Sequence, residues 1–148
     1  MTIDIDDVSK KALDAVIDVG NFVKESQHKI VSIKFKGIKN PQTDVDIAAE
    51  EKLKKILSEI IPDSGFELEE GESLRNKDYV WVIDPIDGTK FFSTQYPVFY
   101  TQIALLYKGV NLFSAIYNPV SSQIFHAIKD KGSYYNHNRA TLQYDGPL

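Results

Sequence analysis

The sequence predicts an α+β fold in which two long helices pack on an antiparallel sheet. Before Pro62, apolar residues recur at helical spacing in two stretches, Val8 to Val23 and Val45 to Ile60. After Phe99, runs rich in β-branched and aromatic residues are separated by short turns such as Lys108-Gly109 and Asn118-Pro119, the pattern of a meander. Between them, the apolar run Tyr79 to Ile83 reads as a buried strand. Each amphipathic helix needs an apolar face to cover, and the sheet offers one.

From Asp6 to about Gln27, Val8, Ala12, Ala15, Val16, Val19, Phe22 and Val23 share one helix face. Asp6 and Asp7 suit the positive end of its dipole, and Gly20 weakens its interior slightly. Ile30 to Phe35 alternates apolar and polar residues, as a short strand does. Lys36 to Gln42 carries loop signals. Thr43-Asp44-Val45-Asp46 then opens a second helix that runs to about Ile61, with Pro62 just beyond. Thr43 as N-cap and Asp46 three residues on form a capping box, with aspartate in place of the commoner glutamate.

Gly65 to Leu68 reads as a strand entering the acidic stretch Glu69-Glu70-Gly71-Glu72. Carboxylates at this density usually form a solvated loop. Past the strand at Tyr79 to Ile83, the β-rich runs are Tyr100 to Tyr107, Val110 to Tyr117 and Gln123 to Ile128, with a shorter one ending near Tyr135. Internal repeats, low-complexity segments and linkers are absent, so residues 1–148 are expected to form one domain.

Composition narrows the function. A chain of 148 residues with 43% hydrophobic content can bury an ordinary core. A net charge of −4 argues against nucleic acid as a partner. Cysteine is absent, which excludes disulfides and thiolate metal sites. No apolar run approaches the roughly 18 residues of a membrane span, and the acidic N-terminus is unlike a signal peptide. The expectation is a cytoplasmic protein with no membrane partner. His28, His126 and His137 lie far apart in different contexts and lack ligand spacing, so they are expected to be structural or solvated rather than zinc-binding. Tyr96, Phe99, Tyr100, Tyr107, Phe113 and Tyr117 read as sheet packing rather than a base-stacking platform. No arginine is interleaved with them, Arg75 and Arg139 being the chain's arginines.

The chemistry gathers at Trp81-Val82-Ile83-Asp84-Pro85-Ile86-Asp87-Gly88-Thr89. The strand is expected to end at Asp84-Pro85, since proline cannot donate to a ladder. If a helix or turn begins after Asp87, its free N–H groups favour an anion. Two carboxylates beside a phosphate would repel it unless a cation lay between, and Mg²⁺, which takes oxygen ligands, suits that place. Spacing alone equally allows a solvated Asp-Pro turn with Asp87 capping a short helix.

That nine-residue string resembles the signature of the inositol monophosphatase family, Mg²⁺-dependent, lithium-sensitive sugar phosphatases. Two upstream segments are similar to the family's other motifs in the expected order: Pro41-x-Thr43-x-x-Asp46 with Ile47-Ala48-Ala49-Glu50, and the paired glutamates Glu69-Glu70. The resemblance implies the first half of a layered αβαβα sugar-phosphatase fold. It implies Mg²⁺, with Mn²⁺ as an alternative, held by Glu69, Asp84, the Ile86 carbonyl and Asp87. It implies phosphate contacts from Asp87, Gly88 and Thr89, and water positioned by Thr89 and Asp46, with Glu69 also in the catalytic set.

The implied substrate is a small phosphorylated metabolite, such as an inositol monophosphate or fructose bisphosphate, or else a nucleotide 3′-phosphate or NADP. A homodimer is implied too. The sequence departs from the family at Leu68, where a glycine is usual, and at Phe91, where asparagine is usual. Family members are also considerably longer, with a C-terminal α/β layer that carries another metal-binding aspartate. On that comparison residues 1–148 are expected to be an N-terminal α+β domain and an incomplete enzyme. Asp130 or Asp145 could replace the missing carboxylate, although nothing in the spacing supports either. The rival reading is a non-catalytic half-protein that binds metal, phosphate or a partner.

Overall fold

The computed structural model describes residues 3–35 and 41–141. Helix α1 (Ile5–Ser26) starts from Asp4, whose carboxylate accepts the Asp6 N–H at 3.0 Å. Its apolar face is buried from Val8 to Val23. Gly20 belongs to that face for a steric reason: a Cβ there would lie 2.5 Å from Cδ1 of Tyr117. A short 3₁₀ turn (Gln27–Lys29) follows.

Strand β1 (Ile33–Phe35) pairs antiparallel with β2 (Pro41–Thr43) in a two-stranded sheet. It starts three residues later than the alternation from Ile30 suggests, and all its residues are exposed. The cause is Asp44, whose Oδ1 takes the N–H groups of Val31 and Ser32, each at 3.1 Å, away from any ladder. Residues 36–40 of the expected loop lie outside the described residues.

Helix α2 (Asp44–Ile60) has Thr43 as N-cap, and the capping box with Asp46 is present in both directions. Strand β3 (Gly65–Leu68) then leads through the acidic loop to β4 (Tyr79–Asp87), α3 (Thr89–Ser93), β5 (Tyr100–Tyr107), β6 (Val110–Asn118), β7 (Gln123–Ile128), β8 (Gly132–Tyr135) and β9 (Asn138–Ala140). The strands β3 to β9 form one sheet in sequence order. All neighbours are antiparallel except β3 and β4, which run parallel. Strand β9 is a polar three-residue edge with no apolar signal to announce it.

Helices α1 and α2 pack on each other, α1 against β5 and β6 and α2 against β4. The core between them is built from Val16, Val19 and Val23, from Leu53 and Leu57, and from Trp81, Phe99, Leu105 and Phe113. Among the described residues, no helix is long and apolar enough to cross a membrane.

Three expectations change. Strand β4 does not stop at Asp84-Pro85 but continues to Asp87. Tyr96 lies outside the sheet, exposed, with its ring 5.7 Å from that of Phe91. The fold brings His126 and His137 together, their ring centroids 6.2 Å apart, with His126 stacked on Tyr134.

Candidate active site

Strand β4 passes Pro85 because the strand bulges there. Asp84 pairs with Gln102 and Asp87 with Tyr100, so three steps along β4 match two along β5. Proline is tolerated at such a site, where the ladder is already broken. The Thr101 hydroxyl donates to the Pro85 carbonyl at 3.0 Å and fixes the irregular backbone. The bulge has a chemical consequence. In a regular strand, residues three apart face opposite sides. One extra residue puts Asp84 and Asp87 on the same side, while Ile83 and Ile86 are both buried.

Asp84 is held between opposing demands. Burial raises its carboxyl group to about 8, helped by a hydrogen bond with the Glu69 side chain and by the negative charges of Glu69 and Asp87. Its Oδ1 is buried without a hydrogen-bond partner. The acidic loop therefore presents Glu69 to Asp84, while Glu70 accepts a hydrogen bond from the Gln42 side chain. Asp87 is exposed, and its Oδ2 accepts from Gln102 Nε2 at 2.6 Å. Asp84 lines two open clefts, one of about 210 Å³ shared with Glu67 and Glu69 and one of about 270 Å³ shared with Gln102.

The second half of the site is the start of α2. Asp46 is fully buried, and burial is the main cause that raises its carboxyl group. Its Oδ2 accepts the Thr43 N–H at 2.8 Å, and its Oδ1 lies 3.0 Å from the Thr89 hydroxyl. That hydroxyl also lies 2.8 Å from the Ile86 carbonyl. Asp46 thus touches the residue just past β4, some 43 positions away in the chain. Helix α3 opens with Gly88 at φ 95° as its N-cap, with no side-chain cap, so Asp87 does not cap it. Phe91, the departure from the family pattern, is exposed on this short helix.

The structure brings together Glu69, Asp84 and Asp87 by contact or charge, and Asp46, Ile86 and Thr89 by hydrogen bonds. Asp130 does not join them. It sits exposed in the turn between β7 and β8, paired with Lys129. Asp145 lies outside the described residues. Residues to which the sequence assigned no role complete the site: Gln42, Glu50, Thr101 and Gln102. Their roles depend on pairings across the sheet or between loop and helix, although Glu50, one helical turn from Asp46, is placed on the same face by its spacing.

Among the described residues, no group of three or more His, Cys, Asp and Glu side chains could by itself hold a metal ion. The donors present nonetheless fit a hard cation. They are carboxylate and carbonyl oxygens, and an ion would offset the negative charges of Glu69 and Asp87 that crowd Asp84, while giving the orphaned Oδ1 a partner.

The family model for the inositol monophosphatase family matches residues 4–147. The chain is 30% identical over 132 residues to the Nus factor SuhB of Haemophilus influenzae, covering 86% of this chain and 49% of that protein. It is 32% identical over 139 residues to an inositol monophosphatase of Dictyostelium discoideum, covering 90% of this chain and 51% of that protein. The crystal structure of the extragenic suppressor protein suhB from Bartonella henselae superposes with a TM-score of 0.82 at 27% identity, over 86% of this chain and 51% of that one. The chain spans about half the length of these relatives. With its bulged aspartate pair, its buried Asp46–Thr89 contact and a family match along nearly its whole length, the chain belongs to the inositol monophosphatase family.

Proposed function

We propose that this chain carries the metal- and phosphate-binding part of a Mg²⁺-dependent phosphomonoesterase acting on a small phosphorylated metabolite. The observation that supports it best is Asp84, whose Oδ1 is buried and unpartnered while its carboxyl group makes a hydrogen bond with Glu69 beside a second carboxylate on the same bulge. Glu69, Asp84, Asp87 and the Ile86 carbonyl would hold Mg²⁺, or Mn²⁺ in its place. When bound, the ion neutralises phosphate charge and makes water more acidic.

The chain's own residues do the rest. Gly88 and Thr89 offer backbone N–H groups to phosphate oxygens at the start of α3, where helical N–H groups lack internal partners. The Thr89 hydroxyl, fixed between Asp46 and the Ile86 carbonyl, orients a water. Asp46 accepts the proton that passes through it, and its raised affinity for protons, caused by burial, suits a general base. Gln102 holds Asp87 in place.

The substrate class is a phosphate monoester on a polyol or sugar, such as an inositol monophosphate or fructose bisphosphate. Groups that recognise the alcohol portion would come from the half of the relatives' length that this chain does not span. Calorimetric titration of the chain and of Asp84→Asn with Mn²⁺ tests the reading. Binding by the parent that Asp84→Asn loses supports it, and equal binding by both overturns it.

A further inference from the structure

We infer that Glu50 is a positioning residue that clamps the acidic loop and thereby sets Glu69 against Asp84. The inference rests on the proposed metal site. Glu50 lies one turn after Asp46 on the same face of α2, and it is 5% exposed. A buried carboxylate without compensation is costly. Burial raises the Glu50 carboxyl group, and the loop backbone offsets part of that cost: Oε2 accepts the Glu70 N–H at 2.8 Å, and the N–H groups of Gly71 and Glu69 also favour its charge, against the negative charge of Glu70. The carboxylate is therefore the hub around which Glu69-Glu70-Gly71 turns.

Gly71 is a second, independent sign of this clamp. A Cβ at Gly71 would stand 2.9 Å from Glu50 Oε1 and 3.1 Å from Leu68 Cδ1. The loop backbone approaches Glu50 too closely for any larger residue to fit without displacement. One helix thus fixes both sides of the site, with Asp46 reaching Thr89 and Glu50 reaching the loop that carries Glu69. If the loop loosens, Glu69 loses its fixed place beside Asp84, although Glu50 itself would touch neither metal nor substrate.

The test compares the full chain with Glu50→Ala, Glu50→Gln, Gly71→Ala and Asp84→Asn. Two readings are taken: Mn²⁺ affinity by calorimetry, and hydrogen exchange of the residue 69–71 amides without metal. Glu50→Ala should weaken Mn²⁺ binding by roughly 10–100-fold, the usual effect of removing a group that orients a ligand. It should also speed exchange at those amides. Gly71→Ala should do both with Glu50 intact, and Glu50→Gln, which keeps one acceptor, should recover part of each loss.

Faster exchange with unchanged Mn²⁺ affinity overturns the positioning role and leaves Glu50 as a structural brace. Weaker binding without faster exchange overturns the clamp. If Glu50→Ala does not fold, Gly71→Ala and Glu50→Gln decide between the same outcomes. A parent that binds Mn²⁺ no better than Asp84→Asn overturns the metal-site reading itself, and with it this inference.

Discussion

The Thr89 hydroxyl lies 3.0 Å from Asp46 Oδ1 and 2.8 Å from the Ile86 carbonyl, yet it has one proton for two acceptors. It can donate to only one of them at a time, so both contacts are hydrogen bonds at once only when Asp46 is itself protonated and donates to Thr89. Burial moves Asp46 in that direction. The capping box of α2 and the proposed water-orienting pair are therefore one assembly, and their contributions can be separated by measurement. Asp46→Ala should cost about 1–2 kcal/mol in urea unfolding, from a lost cap and a lost buried hydrogen bond. In an active phosphatase containing this chain, kcat should fall by about 10²–10⁴, the range of a positioned acid–base group. A normal rate with only the stability loss would leave the cap as the residue's whole role.

A second prediction concerns Asp84 in the absence of metal. Its folded carboxyl group is raised to about 8, against an ordinary 3.8 in the unfolded chain. Between these values the folded state holds a proton that the unfolded state releases. The stability this confers is fully present below the lower value and is lost as pH rises through about 8. Asp84→Asn removes the linkage. In chelator, its melting temperature should therefore fall less than the parent's between pH 5 and pH 8. Equal pH dependence in both proteins would show that Asp84 does not carry the strain.

Much of this was legible in the sequence, and the rest was hidden for physical reasons. The helices were marked by period and caps: Thr43 with Asp46 announces the start of α2, which the structure bears out. The strands of the meander were marked by turns. The bulge was not legible, because a strand expected to end at Asp84-Pro85 leaves Asp87 in a turn or at a helix start. Only pairing with Gln102 and Tyr100 reveals the extra residue. The parallel pairing of β3 on β4 was equally hidden, since a strand of four residues, Gly65 to Leu68, carries no direction. Glu50 was read only as part of a motif string. Its partners are backbone N–H groups, which leave no trace in side-chain pattern.

A third prediction concerns His126. Burial and the neighbouring His137 lower its affinity for a proton, and its Nδ1 is buried without a partner. Tyr134 stacks on one face of its ring. The folded state thus prefers neutral imidazole. The associated stability is present above the unfolded value of 6.5 and is lost as pH falls below it. Melting temperature should drop on going from pH 7.5 to pH 5.5, and His126→Phe, which keeps a ring for Tyr134, should reduce that drop. An undiminished drop in His126→Phe would place the titrating group elsewhere.

The last prediction is Gly20→Ala, where two effects of similar size oppose each other. In an open helix interior alanine is better than glycine by about 1 kcal/mol. Gly20, however, is buried against β6, and the new Cβ would stand 2.5 Å from Cδ1 and 3.0 Å from Cε1 of Tyr117. That ring cannot swing aside freely: Tyr117 is 4% exposed, and its hydroxyl donates to Asn21 Oδ1 at 3.0 Å. Overpacking of this kind typically costs about 1–3 kcal/mol. The steric cost should win, and thermal unfolding should show a melting temperature lower by roughly 2–4 °C for each net kcal/mol. In a Tyr117→Leu background the obstacle is gone, so Gly20→Ala should become neutral or stabilising. If Gly20→Ala raises the melting temperature in the parent chain, the close packing of α1 on Tyr117 is not a constraint on the fold.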